Sequence, residues 1–284
     1  MKTVALLAIG GNLDVGTGCT LTAAGFNFTV TGTTSVTGTL DHSSNIGTKT
    51  YIGLVTVNSG ATWDNTGSSS ITFRGGLTDN STNFTSGTGI HTFNTNNQAI
   101  SGTDVLDLAN VTVTGITLTN NMAHFTVSTA LSGTGGLTQG VGATLRISGS
   151  SGITTLTASA NPNTVNYDGG TQTVKSAIYH HLTLSGSLAK TLTNVGTING
   201  DLTLSGTATA TTAIATTVGG NLIVGSGNTL TVAGFDFTVT GTSSVTGALD
   251  HSSTTGTKTY IGLVTINSGG VWTCSGNEAV TFRG

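Results

Sequence analysis

The sequence predicts an all-β protein, and more narrowly a parallel β-helix (β-solenoid) of roughly 13 coils that runs as a single continuous domain over residues 1–284. Three observations predict this fold. The composition suits strands and turns, a long segment occurs twice, and short strand-like phrases recur between the two copies. Tandem Ig-like β-sandwich domains are the alternative architecture.

The composition excludes most other classes. Of 284 residues, 62 are Thr, 43 are Gly and one is Pro, and charged residues make up only 7%. Thr, Val, Ile and Phe favour strands, Gly, Asn, Asp and Ser favour turns, and strong helix formers are scarce. A net charge of −3 with a mean hydropathy of +0.19 argues against disorder. No Lys/Arg cluster is available for phosphates, so nucleic acid is not an expected partner.

The long repeat is the strongest signal. Residues 9–75 align without gaps to residues 218–284, an offset of 209, and 47 of the 67 positions are identical. The first copy continues past Gly75 whereas the second stops at Gly284. We therefore expect this sequence to be a window from a longer array.

Differences between the copies indicate which side chains point inward. Asp14 is replaced by Ile223, while its neighbours Leu13 and Val15 keep their character. Because side chains alternate along a strand, Leu13 and Val15 are predicted to point inward and Asp14 outward.

The same reasoning applies further along the repeat. Ile71 and Phe73 are predicted to form an inward pair. Trp63 matches Trp272 within the most divergent stretch of the repeat, so we expect it to be packed rather than displayed.

Between the copies, strands of 4–6 residues are separated by Gly, Asn, Asp or Ser, with an apparent coil length of about 20–24 residues. Stacked coils place equivalent positions about 4.8 Å apart, where like charges repel and Thr, Ser and Asn are expected to hydrogen-bond to one another. This explains the low charge. A solenoid also leaves open sheet edges at its ends, which predicts end-to-end self-association into filaments.

The stretch from Gly220 to Val232 (GNLIVGSGNTLTV) resembles repeats of filamentous-haemagglutinin and autotransporter-type adhesins. The stretch from Gly170 to Leu192 is similar to repeats of very large bacterial surface proteins. The resemblance implies a parallel β-helix, export from a bacterial cell, and a structural or adhesive role at the cell surface. A surface glycan or a protein receptor is then a candidate partner.

The N-terminus and the cysteines give little further information about the fold or the function. Residues 1–9 resemble the start of a signal peptide but run directly into a strand pattern, so a first strand is the preferred interpretation. No stretch is long enough to cross a membrane as a helix. Cys19 and Cys274 provide neither a disulfide framework nor metal-ligand spacing.

Two segments contain the residue types of a hydrolase triad, namely Asp41-His42-Ser43 and Asp250-His251-Ser252. Adjacent residues of an extended segment point in opposite directions, so we expect a loop with local hydrogen bonds there. A polysaccharide-active β-helix enzyme would need clustered carboxylates, and Asp104 and Asp107 form the only close pair outside the repeat. We therefore predict no catalytic residues and no enzyme activity.

No cofactor-binding or metal-binding residues are predicted either. His180 and His181 are expected to face opposite ways as solvated surface residues. Ice binding is the alternative function, because Thr-x-Thr phrases begin at Thr29, Thr112, Thr171 and Thr238. Their uneven spacing argues against a continuous threonine ladder.

Overall fold

The computed structural model describes residues 6–23, 25–251 and 253–284. Residues 1–5 of the segment that resembles a signal peptide lie outside the described residues, as do Ala24 and Ser252. The described residues form 38 strands and no helix, and the parallel strands stack into a β-solenoid of about 14 turns. This confirms the predicted fold class, with one turn more than expected.

The chain divides into two compact units, which are described separately. Unit 1 contains residues 1–145 and 152–155, and unit 2 contains residues 146–151 and 156–284. A single continuous solenoid over residues 1–284 therefore stays a prediction. Three strands fall where the division runs, namely β19 (Thr144–Ile147), β20 (Ser150–Ser151) and β21 (Thr155–Thr157).

Unit 1 is built from three parallel sheets, here called 1A, 1B and 1C. The chain passes through all three in turn up to β12 and then alternates between 1A and 1B up to β18. Sheet 1A contains β1 (Leu6–Ile9), β4 (Asn27–Val30), β7 (Lys49–Tyr51), β10 (Ile71–Phe73), β13 (Ile90–Asn94), β15 (Val105–Thr114) and β17 (His124–Ser132). Sheet 1B contains β2 (Leu13–Val15), β5 (Thr34–Val36), β8 (Val55–Val57), β11 (Leu77–Asp79), β14 (Gln98–Gly102), β16 (Thr117–Asn120) and β18 (Gly136–Gln139). Sheet 1C contains β3 (Thr20–Thr22), β6 (Thr39–Asp41), β9 (Thr62–Asp64) and β12 (Asn83–Thr85).

Unit 2 repeats this plan in sheets 2A, 2B and 2C. Sheet 2A contains β22 (Thr164–Tyr167), β24 (His181–Leu184), β27 (Leu202–Leu204), β30 (Leu222–Val224), β33 (Ser243–Val245) and β36 (Val264–Ile266). Sheet 2B contains β23 (Gln172–Thr173), β25 (Ser187–Leu192), β28 (Thr207–Thr212), β31 (Thr229–Thr231), β34 (Ala248–Asp250) and β37 (Val271–Thr273). Sheet 2C contains β26 (Thr197–Ile198), β29 (Thr216–Val218), β32 (Phe237–Val239), β35 (Lys258–Tyr260) and β38 (Val280–Phe282).

The turns differ in length although the register is kept. Leu77 pairs with Ile100 one turn later. The turn that starts at Thr164 is shorter, and there Thr164 pairs with His181. This second turn is shorter than any coil length predicted from the sequence, so the predicted range was too narrow at its lower end. The corners of the solenoid absorb the difference, so the strands stay aligned.

Alternation along the strands produces the core, as predicted. Val15 is buried, Leu13 is half-buried and Asp14 is exposed. Ile71 and Phe73 are fully buried, and Trp63 is packed inside unit 1 with its ring 5.2 Å from that of Phe84. Full burial of one large apolar side chain contributes about 1.5–3 kcal/mol, so these inward columns are the main source of stability.

Asx side chains add a second connection between successive turns. In each case the side-chain oxygen accepts a hydrogen bond from a backbone N–H one turn later. The pairs are Asn12–Thr33, Asn27–Thr48, Asn80–Thr103, Asn97–Thr117, Asp201–Asn221, Asn221–Thr242 and Asp236–Thr257, at 2.7–3.2 Å. Each such bond contributes about 1 kcal/mol and reinforces the backbone ladder at a corner.

Candidate functional site

The first triad-like segment is split between the surface and the core. Asp41 ends β6, and its carboxylate accepts hydrogen bonds from the Ser43 backbone N–H (2.7 Å) and the Thr22 hydroxyl (3.1 Å). His42 points the opposite way and is fully buried. The predicted local hydrogen bonds are present, but the burial of His42 was not foreseen.

His42 is part of an aromatic core in unit 1. Its Nε2 lies 2.5 Å from the Tyr51 hydroxyl, and its ring centroid lies 4.6 Å from that of Trp63. Burial, with a smaller contribution from the nearby Lys49 charge, lowers the pKa of His42 to about 3. The imidazole is therefore neutral at physiological pH, and it faces the core rather than a substrate.

The second copy forms the same arrangement in unit 2. His251 is buried with its Nε2 2.7 Å from the Tyr260 hydroxyl and its ring 4.9 Å from that of Trp272. Burial lowers the pKa of His251 to about 4. Ser252, the third residue of this segment, lies outside the described residues. Both histidines are thus core residues that hydrogen-bond to a buried tyrosine.

The acidic pair Asp104 and Asp107 does not form a dyad. Asp104 precedes β15 and accepts a hydrogen bond from the adjacent Val105 N–H (2.7 Å), whereas Asp107 is exposed beside Thr126 of β17. Instead, the charge of Asp104 acts on Asp79, which ends β11 and points into the core.

Asp79 itself was missed by the sequence analysis. Burial raises the pKa of Asp79 to about 6, against the effect of a hydrogen bond from the Ser81 backbone N–H (3.1 Å). Asp79 occupies the inward position that Val57 holds one turn earlier, and Gly102 holds it one turn later. That register is the signal that could have shown it to be buried.

The expectation for His180 and His181 was wrong. Their ring centroids lie 4.2 Å apart in an edge-to-face arrangement, and His180 is buried. His180 precedes β24 in a bend rather than lying within a strand, so strand alternation does not apply to this pair. His181 Nδ1 accepts a hydrogen bond from the Asp201 backbone N–H (3.0 Å), and burial lowers the pKa of His180.

Three buried lysines form the most unusual polar feature of the core. Lys49 and Lys258 occupy equivalent positions in the two copies, and Lys190 is a third case. Each Nζ donates hydrogen bonds to backbone carbonyls at a corner, for example from Lys190 to Gly169 (2.6 Å), Gly170 (2.5 Å) and Ser187 (3.2 Å). Burial lowers the pKa of all three ammonium groups, and the carbonyls replace the water that they lose.

Within residues 6–23, 25–251 and 253–284, no group of three or more His, Cys, Asp or Glu side chains is arranged to bind a metal ion. Cys19 and Cys274 are both exposed free thiols. In the same ranges no helix has the length and apolarity needed to cross a membrane.

The outward faces carry threonine columns, that is, threonines in register on successive strands. On sheet 1A the column consists of Thr29, Thr50, Thr72, Thr92 and Thr112, followed by Ser132. On sheet 2C it consists of Thr197, Thr217, Thr238, Thr259 and Thr281. The Thr-x-Thr phrases do not form one continuous ladder, since Thr29 and Thr112 lie on sheet 1A and Thr238 lies on sheet 2C. Separate columns nevertheless exist, and variable turn lengths hide their register in the sequence.

The expected hydrogen bonding within these columns is rare. Thr112 and Ser132 pair through their hydroxyls at 3.1 Å, and Thr78 and Ser101 pair at 3.0 Å on sheet 1B. Among the described residues, the hydroxyls of the sheet 2C column make no hydrogen bond with protein atoms. They are therefore free to bind water or an external ligand.

Comparison with known proteins gives no closer assignment. No protein-family model, no curated protein and no solved structure matches the chain. The β-solenoid fold is consistent with repeat proteins of the adhesin type. The fold and its outward columns are thus the basis for a functional assignment.

Proposed function

We propose that the chain is a structural or adhesive segment of a long, repetitive fibre on the outer surface of a bacterial cell. One observation carries this proposal: in each unit, successive turns are joined by parallel backbone ladders, and Asx hydrogen bonds reinforce the ladders at several corners. A stack held in this way can be extended turn by turn and resists local opening.

The exterior supports the same function. The outward columns are mainly Thr, Ser and Asn, which keep a sheet face hydrated with little charge. The resemblance of the segment from Gly220 to Val232 to adhesin repeats adds export and attachment, with a surface glycan or a protein receptor as the partner. The proposal includes no catalytic step, since His42 and His251 face the core and Asp41 faces away from His42.

Self-association of turns is part of the proposal. Phe282 on β38 is 57% exposed, although Phe73 at the equivalent position of the first copy is fully buried by the following turn. Ile266 is 40% exposed, whereas the equivalent Val57 is fully buried. We propose that these side chains pack against a turn supplied by another copy of the chain.

Negative-stain electron microscopy over a concentration series tests this function. We expect fibres that lengthen with concentration, driven by burial of the apolar surface around Phe282. Phe282→Lys should shorten them, whereas the matched control Phe26→Lys, at a side chain that is 43% exposed elsewhere, should not. Particles of constant size at all concentrations would contradict the self-association, and loss of fibres in both variants would contradict the assigned surface.

A further inference from the structure

Sheet 2B carries a two-dimensional array of threonines on its outward face, here called the threonine array. One column consists of Thr173, Thr191, Thr211 and Thr231, in register on four successive strands. A second column, two residues earlier on the strands, contains Thr209 and Thr229. The array therefore has rows of the form Thr-x-Thr on β28 and β31.

The array faces outward, and its hydroxyl groups are not used for hydrogen bonds within the described part of the protein. Along β28 exposed and buried residues alternate strictly, with Thr207, Thr209 and Thr211 outside and Ala208, Ala210 and Thr212 inside. In the part of the chain that the structure describes, none of the six array hydroxyls hydrogen-bonds to another protein atom. The same six side chains carry no charge, and the column ends at Asp250 on β34.

The spacing of the array suits ordered water. Neighbours in a column lie about 4.8 Å apart along the stack and neighbours in a row about 6.6 Å apart, so a water molecule fits between two hydroxyls that do not turn towards each other. A water that bridges two column neighbours through hydrogen bonds of about 2.8 Å has an oxygen–oxygen–oxygen angle of about 118°, close to the tetrahedral arrangement of water around water. Because the χ1 torsion of threonine is restricted, each hydroxyl and methyl group is held in place before binding.

We propose that the threonine array is an ice-binding surface. The hydroxyls hydrogen-bond to waters at a fixed two-dimensional spacing. The methyl groups between the hydroxyls exclude other, disordered water molecules from the surface. A neutral face is suited to this partner, because a charged side chain would lose hydration at the ice surface without gaining an opposite charge. The columns of sheets 1A and 2C are less suitable, because the first contains the hydrogen-bonded pair Thr112–Ser132 and the second is a single column.

Ice recrystallisation inhibition and thermal hysteresis of the full chain test this proposal, with ice alone as the probe. The wild type should be active, and Thr211→Lys should raise the concentration needed by about tenfold, since a lysine at the centre of the array displaces the waters of its neighbours. Thr203→Lys is the matched control, since it changes the same residue type on sheet 2A of the same unit, and it should keep wild-type activity.

Thr211→Val, which keeps the shape of the side chain and removes one hydroxyl, provides a second variant that is expected to fold like the wild type and to lose part of the activity. Inactive wild-type protein, or an equal loss in Thr203→Lys and Thr211→Lys, would overturn the proposal. Wild-type protein that is inactive on ice but retained on an immobilised polysaccharide would also overturn it, and would assign the array to a carbohydrate. Each of these outcomes is independent of fibre formation through Phe282.

Discussion

Lowering the pH from 7 to 5 should destabilise the core of unit 1, because His42 has to be neutral to stay buried. An unperturbed histidine has a pKa of about 6.5, whereas burial lowers the pKa of His42 to about 3. Between these values the unfolded chain binds one proton more than the folded chain. The free energy of unfolding therefore decreases as the pH falls. The stability that depends on a neutral His42 is complete only above the pKa of the unfolded chain and is lost progressively below it.

The magnitude follows from the two pKa values. The full slope is about 1.4 kcal/mol per pH unit, and partial protonation of the unfolded chain near pH 6.5 reduces the loss between pH 7 and pH 5 to about 2 kcal/mol for His42. His91, whose pKa burial lowers to about 4, adds a loss of similar size. Asp79 acts in the opposite direction, because its pKa is raised to about 6 and the folded state gains a proton as the pH falls.

Comparison of the wild type with His42→Phe isolates the contribution of His42 from these other groups. Trp63 lies against His42 and reports local unfolding by its fluorescence, provided that Trp272→Phe removes the other tryptophan. In urea titrations, the loss of stability from pH 7 to pH 5 should be about 2 kcal/mol smaller in His42→Phe. His124→Phe, at an exposed position, is the control. Equal pH dependence in wild type and His42→Phe would refute the assignment of His42 as a neutral core residue.

Three further changes have expected effects that denaturant titration can measure. Trp63→Ala should cost about 3–5 kcal/mol, and Trp272→Ala clearly less because Trp272 is only half-buried; equal costs would contradict the difference in burial. Lys190→Met should cost about 1–3 kcal/mol, because three corner carbonyls lose their donor; a neutral result would mean that water replaces it. Gly102→Ala should prevent correct folding, since its Cβ would lie 1.7 Å from the Asp79 carbonyl oxygen, whereas Gly60→Ala, with nothing within 4 Å, should cost only the strain of its positive φ, about 1–2 kcal/mol.

Strand alternation could be predicted from the sequence because the two copies keep apolar residues at the inward positions of strands such as β2 and β10. Asp14, which changes to Ile223, is exposed, and Phe73 and Trp63 are buried as expected. The period of two is a local property of a strand, so it can be recognised without knowledge of the neighbouring turns.

The polar core could not be predicted from residue type alone. Lysine is a residue type that is rarely buried, yet Lys49 lies two positions before the inward-facing Tyr51 and therefore on the same side of β7. Two of the carbonyls that accept its hydrogen bonds belong to Phe26 and Ile46, at equivalent corners of two successive turns. Burial of a lysine is tolerated only where such acceptors converge, and their convergence depends on the stacking of turns.

The threonine columns were hidden for a different reason. The sequence interval between column neighbours grows by one position after Thr50 and shrinks by two after Thr72, yet Thr29, Thr50, Thr72 and Thr92 are all in register. A search for one fixed period cannot detect such a column, because the insertions and deletions lie at the corners.

Variable turn length has an evolutionary consequence. A residue gained or lost at a corner leaves the strands on either side in register, so most changes in coil length are silent for the outward faces. Selection can then act on one exposed threonine at a time, and duplication of a coil lengthens a face without altering its pitch. A protein built in this way can acquire a new binding surface by point mutation on an existing column while its core is inherited unchanged.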